Sequence, residues 1–488
     1  MGIGDFVASV AKYGALILLP YYFWVFSYRL FFHPSRNFPG PLAAKLSDLY
    51  AGSSALSRGL HLTTYLDLRK YGPVLRLGPD KLVFNSAEAL QDIYNNERVT
   101  KSHVYQLTVT AGKPSIFNTI DRRRHRVKRK LIGQGISDKA MRDFEPPMIE
   151  QIDVFISQLH ESSRKSSPVD MTERLKQLGA DIVGLLAFGY ALHMQTEPMN
   201  RFSNSFMQFP LLKKLGIHHL LSLLGYAQRI KYLRLLRRMI STRLSQEKHA
   251  HNDLYSFVVD HLDNDNATDG VKPEELWSEA LFSFPAGGDT TSTAISALFF
   301  SLSRNPSAHK KLADEIRTRT AGTYACIDEV LRMSPPVGGT LWRELYAEER
   351  GREPFIVDGH VVPPGTQVGV SMYAIHHSEK CFAQPFAFPP ERWLVEDQAA
   401  LARMHSAFSP FSLGTRGCAG KAMAYLEPSL VISKTLWYFD FETAPGMSGK
   451  VGGGFQLYDQ FGSTHAGPSL IFHPCGDHWK EINTGANP

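Results

Sequence analysis

The sequence predicts a mainly α fold with a smaller β portion. Helical patterns dominate residues 86–331, and one more helix is expected over residues 421–437. Strand patterns are short: they cover residues 74–77 and 81–84, and a patch over residues 340–372 that contains an Asp-Gly hairpin turn. Because helices and strands occupy separate stretches of the chain, the pattern indicates the α+β class.

The composition is that of a large folded chain. Of its 488 residues, 43% are hydrophobic and 20% are charged, which excludes a mostly disordered protein. The net charge of +6 is a small excess at this length and does not require nucleic acid as a partner. The four cysteines show no CxxC spacing, which argues against a zinc cluster or a disulfide scaffold. We interpret them as reduced thiols, any of which could ligate a metal.

The N-terminus is predicted to be a membrane anchor. Between Phe6 and Phe32 only Lys12 and Arg29 are charged, and the apolar stretch between them approaches the length that crosses a bilayer core of about 30 Å. More positive charges follow the stretch than precede it, which places the rest of the chain in the cytosol. A cleaved signal peptide is the alternative, but no A-x-A site follows and Asp5 weakens a basic leader.

The chain beyond the anchor is expected to form one domain. The prolines of residues 33–41 indicate a stiff, extended neck. No repeat and no low-complexity linker follows it. We therefore predict an anchor at residues 1–32, a proline-rich neck at 33–41 and a single domain at 42–488.

The most informative segment is FSLGTRGCAG, residues 411–420. Its three glycines allow tight turns and close approach to a flat ligand. Its single cysteine, Cys418, lies near the start of a predicted helix and two positions after Arg416, and both features favour a thiolate. From this loop alone, a buried cysteine in a Gly-rich turn remains an alternative.

The loop matches FxxGxRxCxG and resembles the haem-binding signature of the cytochrome P-450 superfamily. The resemblance implies a haem b whose iron takes Cys418 as its axial thiolate ligand. It also implies that Phe411 packs near the sulfur and that Arg416 pairs with a haem propionate. The fold it implies is the cytochrome P-450 fold, with the haem between a long groove helix and the Cys-loop helix.

A second motif supports the resemblance. Glu329 and Arg332 form an ExxR pair on one helix face, and Arg392 lies downstream in a Pro-Glu-Arg-Trp segment. In the family these three residues form a structural triad behind the haem. The connection from Thr290 to Glu329, 39 positions, is shorter than membrane-bound relatives usually have, which puts the packing beside this helix in question.

A third motif, AGGDTT, lies within a predicted helix over residues 274–302. Small residues and a hydroxyl in mid-helix also fit close helix packing or a kink, and Pro285 predicts a kink here. The resemblance implies a groove over the distal haem face, where Asp289 and Thr290 arrange water and deliver protons to oxygen.

A basic run occupies residues 122–130, with seven Lys or Arg among nine positions. A solvated helix face or a nuclear signal would explain it, whereas nucleic-acid binding would require more than one cluster. The resemblance implies that His125 and Arg129 face the haem propionates and that the other basic residues face an acidic electron donor. Arg343 is a further candidate for a propionate.

These features predict a membrane-anchored haem-thiolate monooxygenase. The resemblance, which extends to fungal enzymes of specialised metabolism, implies an endoplasmic reticulum location with a cytosolic catalytic domain. It also implies electrons from an NADPH-dependent P-450 reductase, with cytochrome b5 as an additional candidate donor, and hydroxylation or epoxidation of a lipophilic small molecule. The alternatives are a haem-thiolate isomerase or peroxygenase of the same fold, and a non-catalytic haem-binding protein. Substrate-facing regions are expected at residues 104–116, 202–224 and 453–464.

Overall fold

One long, interrupted helix divides the helices of the chain into an earlier and a later set. The computed structural model describes residues 3–109, 112–196, 234–247, 253–258, 273–318, 323–445 and 454–483. The helices that precede the long one are α1 Ile3–Ser27, α2 Leu42–Leu46, α3 Leu49–Leu56, α4 Leu60–Tyr71, α5 Ala87–Tyr94, α6 Arg122–Gly135, α7 Asp138–Arg164 and α8 Met171–Phe188, then residues 234–245 and Leu254–Val258. Those that follow it are Pro306–Arg317, Thr323–Met333, Met372–His376, Gln398–Ala407 and Lys421–Tyr438. The last of these is called the Cys helix below.

The strands form three small sheets. They are β1 Val74–Gly78, β2 Lys81–Phe84, β3 Val99–Lys101, β4 Val169–Asp170, β5 Arg343–Leu345, β6 Phe355–Val357, β7 His360–Val362, β8 Gln367–Val370, β9 Phe439–Thr443 and β10 Ser469–Pro474. The sheet orders are β1-β2-β8-β5-β3, β4-β10-β9 and the hairpin β6-β7. The mainly α class with a smaller β portion is confirmed. The stretch expected to be helical also contains β3 and β4, which at three and two residues are too short to show a strand pattern.

The long helix changes its winding in the middle. Residues Pro273–Phe284 and Thr290–Arg304 are α-helical, and Pro285–Asp289 between them form a π-helical turn. Pro285 opens this turn, because it has no N–H to continue the α-helical ladder. The predicted kink therefore takes the form of a wider turn at the AGGDTT motif. The whole segment is called the groove helix below.

The groove helix lies in the main apolar core. It packs there against α8 and the Cys helix, and α7 packs in turn on both of these helices. Phe155 of α7, Phe299 of the groove helix and Val431 of the Cys helix are fully buried. This packing fixes the start of the Cys helix beside the middle of the groove helix.

A fully buried carboxylate joins the Thr323–Met333 helix to the short helical segment Pro390–Leu394. Glu329 accepts hydrogen bonds from Arg332 Nη2 at 2.7 Å and Arg332 Nε at 3.1 Å. Arg392 Nε donates to it at 3.2 Å and Trp393 Nε1 at 3.0 Å. The predicted contacts of Glu329 with both arginines are thus present, and Trp393 is a fourth member. The short connection leaves this network intact, with one helix, Pro306–Arg317, between the groove helix and residues 319–322, which lie outside the description.

The N-terminal helix α1 lies outside the apolar core. A stretch of 21 residues, Lys12–Phe32, is long and apolar enough to cross a membrane, and none of it is buried in the protein. The neck then turns at residues 34–37 instead of running straight. The buried side chain of Arg76 in β1 holds the chain that precedes this turn against the folded domain. It donates hydrogen bonds to Arg29 O at 3.1 Å and to Pro79 O at 2.9 Å.

The Glu329 network predicts a large stability effect. Replacing Glu329 by Ala leaves two buried guanidinium groups without their carboxylate, so the free energy of unfolding should fall by about 3–5 kcal/mol. Glu161→Ala, which removes an exposed ion pair with Lys165, is the matched control and should change it little. Denaturant unfolding of both variants checks this expectation, and equal small losses would contradict it.

Candidate functional site

The loop over residues 411–420, called the Cys loop below, is folded tightly against α5. The Cys418 N–H donates to Phe411 O at 2.8 Å, and the Gly417 N–H donates to Gly414 O at 3.0 Å. Gly414 has φ +69°, and a Cβ there would lie 2.1 Å from Tyr94 O. Glycine is therefore required at this position both for its backbone conformation and for the close approach to α5.

The Cys418 side chain is accessible although the protein around it is dense, as is expected of a side chain that lines a cleft. Its pKa is raised chiefly because burial disfavours the thiolate. A hydrogen bond from the Gly420 N–H and the charges of Arg129 and Lys101 act in the opposite direction. These three groups are suited to stabilise a sulfur that carries negative charge.

Phe411 packs at the start of the Cys helix. Its ring centroid lies 5.5 Å from that of Tyr425, whose hydroxyl donates to Asp328 at 2.6 Å. Lys421 Nζ lies 5.9 Å from the Phe411 ring. The ring thus supports the Cys loop from the side of the Cys helix.

Arg416 points from the Cys loop toward the segment before α6. It donates to Thr119 O at 2.5 Å and to Ile120 O at 2.7 Å. It also donates to the Tyr346 hydroxyl at 3.0 Å. Its partners are therefore neutral oxygens.

Arg129 and His125, both on α6, lie beside the same loop. Arg129 donates to Gly417 O at 2.5 Å and to Cys418 O at 3.1 Å, so it joins α6 directly to the Cys loop. His125 is buried, and its pKa is lowered to about 2 by burial and by the charges of Arg416, Lys101, Arg129 and Arg343. It is therefore neutral at physiological pH.

Arg343 lies next to a buried lysine that sequence reasoning did not identify. Lys101 of β3 pairs with Arg343 of β5 in the antiparallel ladder. Lys101 Nζ donates to Phe117 O at 2.5 Å, and its pKa lies well below the usual value because of burial and the neighbouring arginines. The Arg343 guanidinium lies 5.0 Å from the Tyr94 ring. A lone lysine in a three-residue strand carries no sequence signal of this placement.

Together these residues form a cationic cluster, defined as Lys101, Arg129, Arg343 and Arg416. Within the described ranges none of the four forms an ion pair with a carboxylate. Like charges buried side by side are costly unless an anion compensates them. A haem has two propionates and requires one axial ligand, so four cations beside an accessible cysteine fit it.

The AGGDTT segment approaches the Cys helix from the other side. A Cβ at Gly287 would lie 2.7 Å from Val183 Cγ2 and 3.8 Å from Met423 Cε, which belongs to the Cys helix. A Cβ at Gly179 of α8 would lie 3.1 Å from Gly288 O. The glycines of the AGGDTT motif thus permit close packing of the groove helix against α8, as the packing interpretation of this motif predicted. Packing does not explain the carboxyl of Asp289 and the hydroxyl of Thr290, which follow these glycines in the chain.

Thr290 and Asp289 sit where the π turn meets the α-helix. The Thr290 hydroxyl donates to Ala286 O at 2.6 Å, which leaves its oxygen free to accept a hydrogen bond from water. Burial raises the pKa of Asp289, and the charge of Lys176 opposes this rise. Asp289 therefore keeps its proton to a higher pH than an exposed carboxyl does.

Two residues around Asp289 were not predicted. Lys176 of α8 is buried and one turn from Gly179, the residue that touches the groove helix. His465 is buried, and its Nδ1 lies 3.1 Å from Thr293 Oγ1, which donates to Asp289 O at 2.8 Å. The other ring nitrogen of His465 has no partner among the described residues, as expected where an ordered water binds.

The basic run on α6 divides into two faces. Arg124 pairs with Glu275 at 2.7 Å, and Lys128 pairs with Glu279 at 2.8 Å, so both bind the first turns of the groove helix. From the sequence, every basic residue of this run other than His125 and Arg129 is expected to face an acidic electron donor. This expectation is wrong for Arg124 and Lys128. Arg126 and Lys130 are exposed. The helical period places them away from Glu275 and Glu279.

Comparisons with known proteins identify the family of the chain. The family model described as cytochrome P-450 matches residues 60–451. The cytochrome P-450 monooxygenase poxM of Penicillium oxalicum is 33% identical, over 94% of this chain and 94% of its own. Two further monooxygenases, AKT7 of Alternaria alternata and atnE of Emericella nidulans, are 30% and 28% identical and span 94% and 97% of this chain and 96% and 98% of their own. The chain therefore belongs to the cytochrome P-450 family, whose members are oxygen-incorporating monooxygenases that hold a haem through a cysteine thiolate.

Proposed function

We propose that Cys418 is the axial ligand of the haem b and that the cationic cluster, with His125, binds its propionate edge. The observation that carries this proposal is the cluster itself. Arg129 and Lys101 act electrostatically on the accessible Cys418, and Arg343 and Arg416 act on Lys101. Within the described ranges none of these four basic residues forms an ion pair with a carboxylate. Phe411, which packs on Tyr425 of the Cys helix, is proposed to lie near the sulfur, and Arg129 holds the loop carbonyls in place.

The haem, when bound, supplies the activation of O₂ for insertion of one oxygen atom into the substrate. The chain's own residues control protons. Thr290, whose proton is engaged by Ala286 O, orders a water molecule as an acceptor. Asp289, whose pKa is raised by burial, holds a proton for that water, and Lys176 and His465 lie behind it. This arrangement favours the monooxygenase over an isomerase or a peroxygenase, which need no proton delivery to O₂.

Electrons are proposed to come from an NADPH-dependent P-450 reductase, with cytochrome b5 as a candidate second donor. The exposed Arg126 and Lys130 offer an acidic protein a basic surface on the helix that touches the Cys loop through Arg129. No nucleic acid is proposed as a partner. The steering should weaken with ionic strength, because the charges are exposed.

The protein is proposed to be held in the endoplasmic reticulum membrane by one N-terminal span, with the catalytic domain in the cytosol. The apolar stretch Lys12–Phe32 supports this proposal. A lipophilic substrate fits such a location, and we propose hydroxylation or epoxidation as the reaction. The fungal relatives support a role in secondary metabolism. Residues 202–224, one of the expected substrate-facing regions, lie outside the described residues.

Cys418→Ser should abolish the red-shifted Soret band that the reduced carbonyl complex of a haem-thiolate protein shows. Serine retains the size of the side chain but does not supply a soft thiolate to iron. Cys326→Ser and Cys381→Ser are the controls and should retain the band. Loss of the band in either control, with its retention in Cys418→Ser, would show that the ligand is misassigned.

Thr290→Ala should keep the haem-thiolate spectrum and NADPH consumption, form less product and release more hydrogen peroxide per NADPH. The variant loses the oxygen that orders water, so proton delivery fails more often. Thr290→Ser, which retains a hydroxyl, should restore coupling. A normal peroxide ratio and full product formation in Thr290→Ala would remove the residue from the catalytic account.

Asp289→Asn should slow product formation by about 10²–10⁴-fold, the usual contribution of a general acid or base. Because the acid form is the proton source, the wild-type rate should fall as pH rises through the raised pKa of Asp289. The Asn variant cannot titrate and should lack this fall. Rate measurements across pH compare the two, and parallel profiles would exclude Asp289 as the proton source.

A further inference from the structure

Four aromatic rings from three separate segments converge beside the groove helix. The Phe117 ring stacks on Phe282 with centroids 4.9 Å apart and planes at 12°. Phe461 meets Phe117 edge-on at 5.0 Å, and Tyr105 meets Phe117 at 5.3 Å and Phe461 at 6.1 Å. Each pair has the offset or edge-to-face geometry that aromatic rings prefer. These four residues are called the aromatic wall below.

The wall lies between the proton-delivery residues and the cationic cluster. Phe282 precedes Thr290 by eight positions, which is close to two turns when one of them is a wider π turn, so the two residues share a face of the groove helix. At the other end, Lys101 Nζ lies 5.1 Å from the Phe117 ring and 5.7 Å from the Tyr105 ring. The wall therefore extends from Lys101 of the cationic cluster to the face of the groove helix that carries Thr290.

Phe461 is the member that packing explains least. Its side chain is 43% exposed, and its φ of +78° is unfavourable for a bulky residue. The loop around it is braced: the Phe461 N–H donates to Asp459 Oδ1 at 3.1 Å, and Tyr458 and Thr464 exchange backbone hydrogen bonds at 2.8 and 2.9 Å. Strain that is held in place by its surroundings is typical of residues that contact ligands.

We propose that the aromatic wall selects a flat, unsaturated ring system as the substrate class, with Phe461 as the determining residue. The inference rests on the proposed function of the site. A flat π system can stack on Phe461 or meet its edge, and it gains quadrupole attraction in addition to apolar burial. A saturated ring of the same size gains burial alone, because its puckered faces carry no π density.

The test uses naphthalene and its saturated counterpart decahydronaphthalene as probes. Their dissociation constants are measured from the shift of the haem Soret band in the wild-type holoenzyme and in Phe461→Leu. Leucine keeps an apolar side chain and removes the ring. Phe386→Leu is the matched control, because Phe386 is 56% exposed and packs on Tyr65, outside the wall. Phe282→Leu is a second wall variant, in case the strained position 461 does not accept leucine.

The wild type should bind naphthalene more tightly than decahydronaphthalene. This preference should fall by about 2- to 10-fold in either wall variant, the size expected of one aromatic pair, and should stay unchanged in Phe386→Leu. Equal preference in wild type and wall variants, with the haem-thiolate band intact, would overturn this inference alone. Absence of that band from the wild type would overturn the proposed function, and the inference with it.

Discussion

The site depends on the burial of like charges on one side of the Cys loop. Lys101 and Arg343 face each other in a strand pair, and Arg129 and Arg416 complete the cluster with hydrogen bonds to backbone carbonyls. Neutral acceptors satisfy the donors, and Glu279 and Asp121 act on Lys101 and Arg416 only from beyond ion-pair distance, so the positive charge is compensated incompletely. We therefore regard the cluster as built for an anion, and the two propionates of a haem supply the matching charge.

This constraint connects the surrounding elements. Gly414 lets the Cys loop approach α5, whose Tyr94 supports Arg343. Arg129 ties α6 to the carbonyls of the Cys loop, while Lys128, one position earlier, pairs with Glu279 of the groove helix. The helix α6 therefore contacts both the Cys loop and the first turns of the groove helix. Loss of any of these contacts would change the position of Cys418 relative to Asp289 and Thr290.

The sequence predicts the parts of the site that are contiguous in the chain. The Cys loop and the AGGDTT segment each combine glycines with reactive side chains within ten residues. Their chemistry can therefore be predicted from a short stretch of sequence. Lys101 and Lys176 are not predictable in this way, because each becomes meaningful only through partners that are remote in the chain. The same holds for the four rings of the aromatic wall. The extended neck was predicted from proline content alone, and the docking of Arg29 onto Arg76 bends it.

The central claim is that the cationic cluster binds the propionates while Cys418 binds iron. It is tested most directly by comparing the affinity of the apoprotein for haem b and for its dimethyl ester, in which both propionates are neutral. Each lost charge-assisted hydrogen bond should weaken binding by about 10- to 100-fold, so the ester should bind far more weakly than haem b. Equal affinities for the two haems would contradict the assignment of Lys101, Arg129, Arg343 and Arg416.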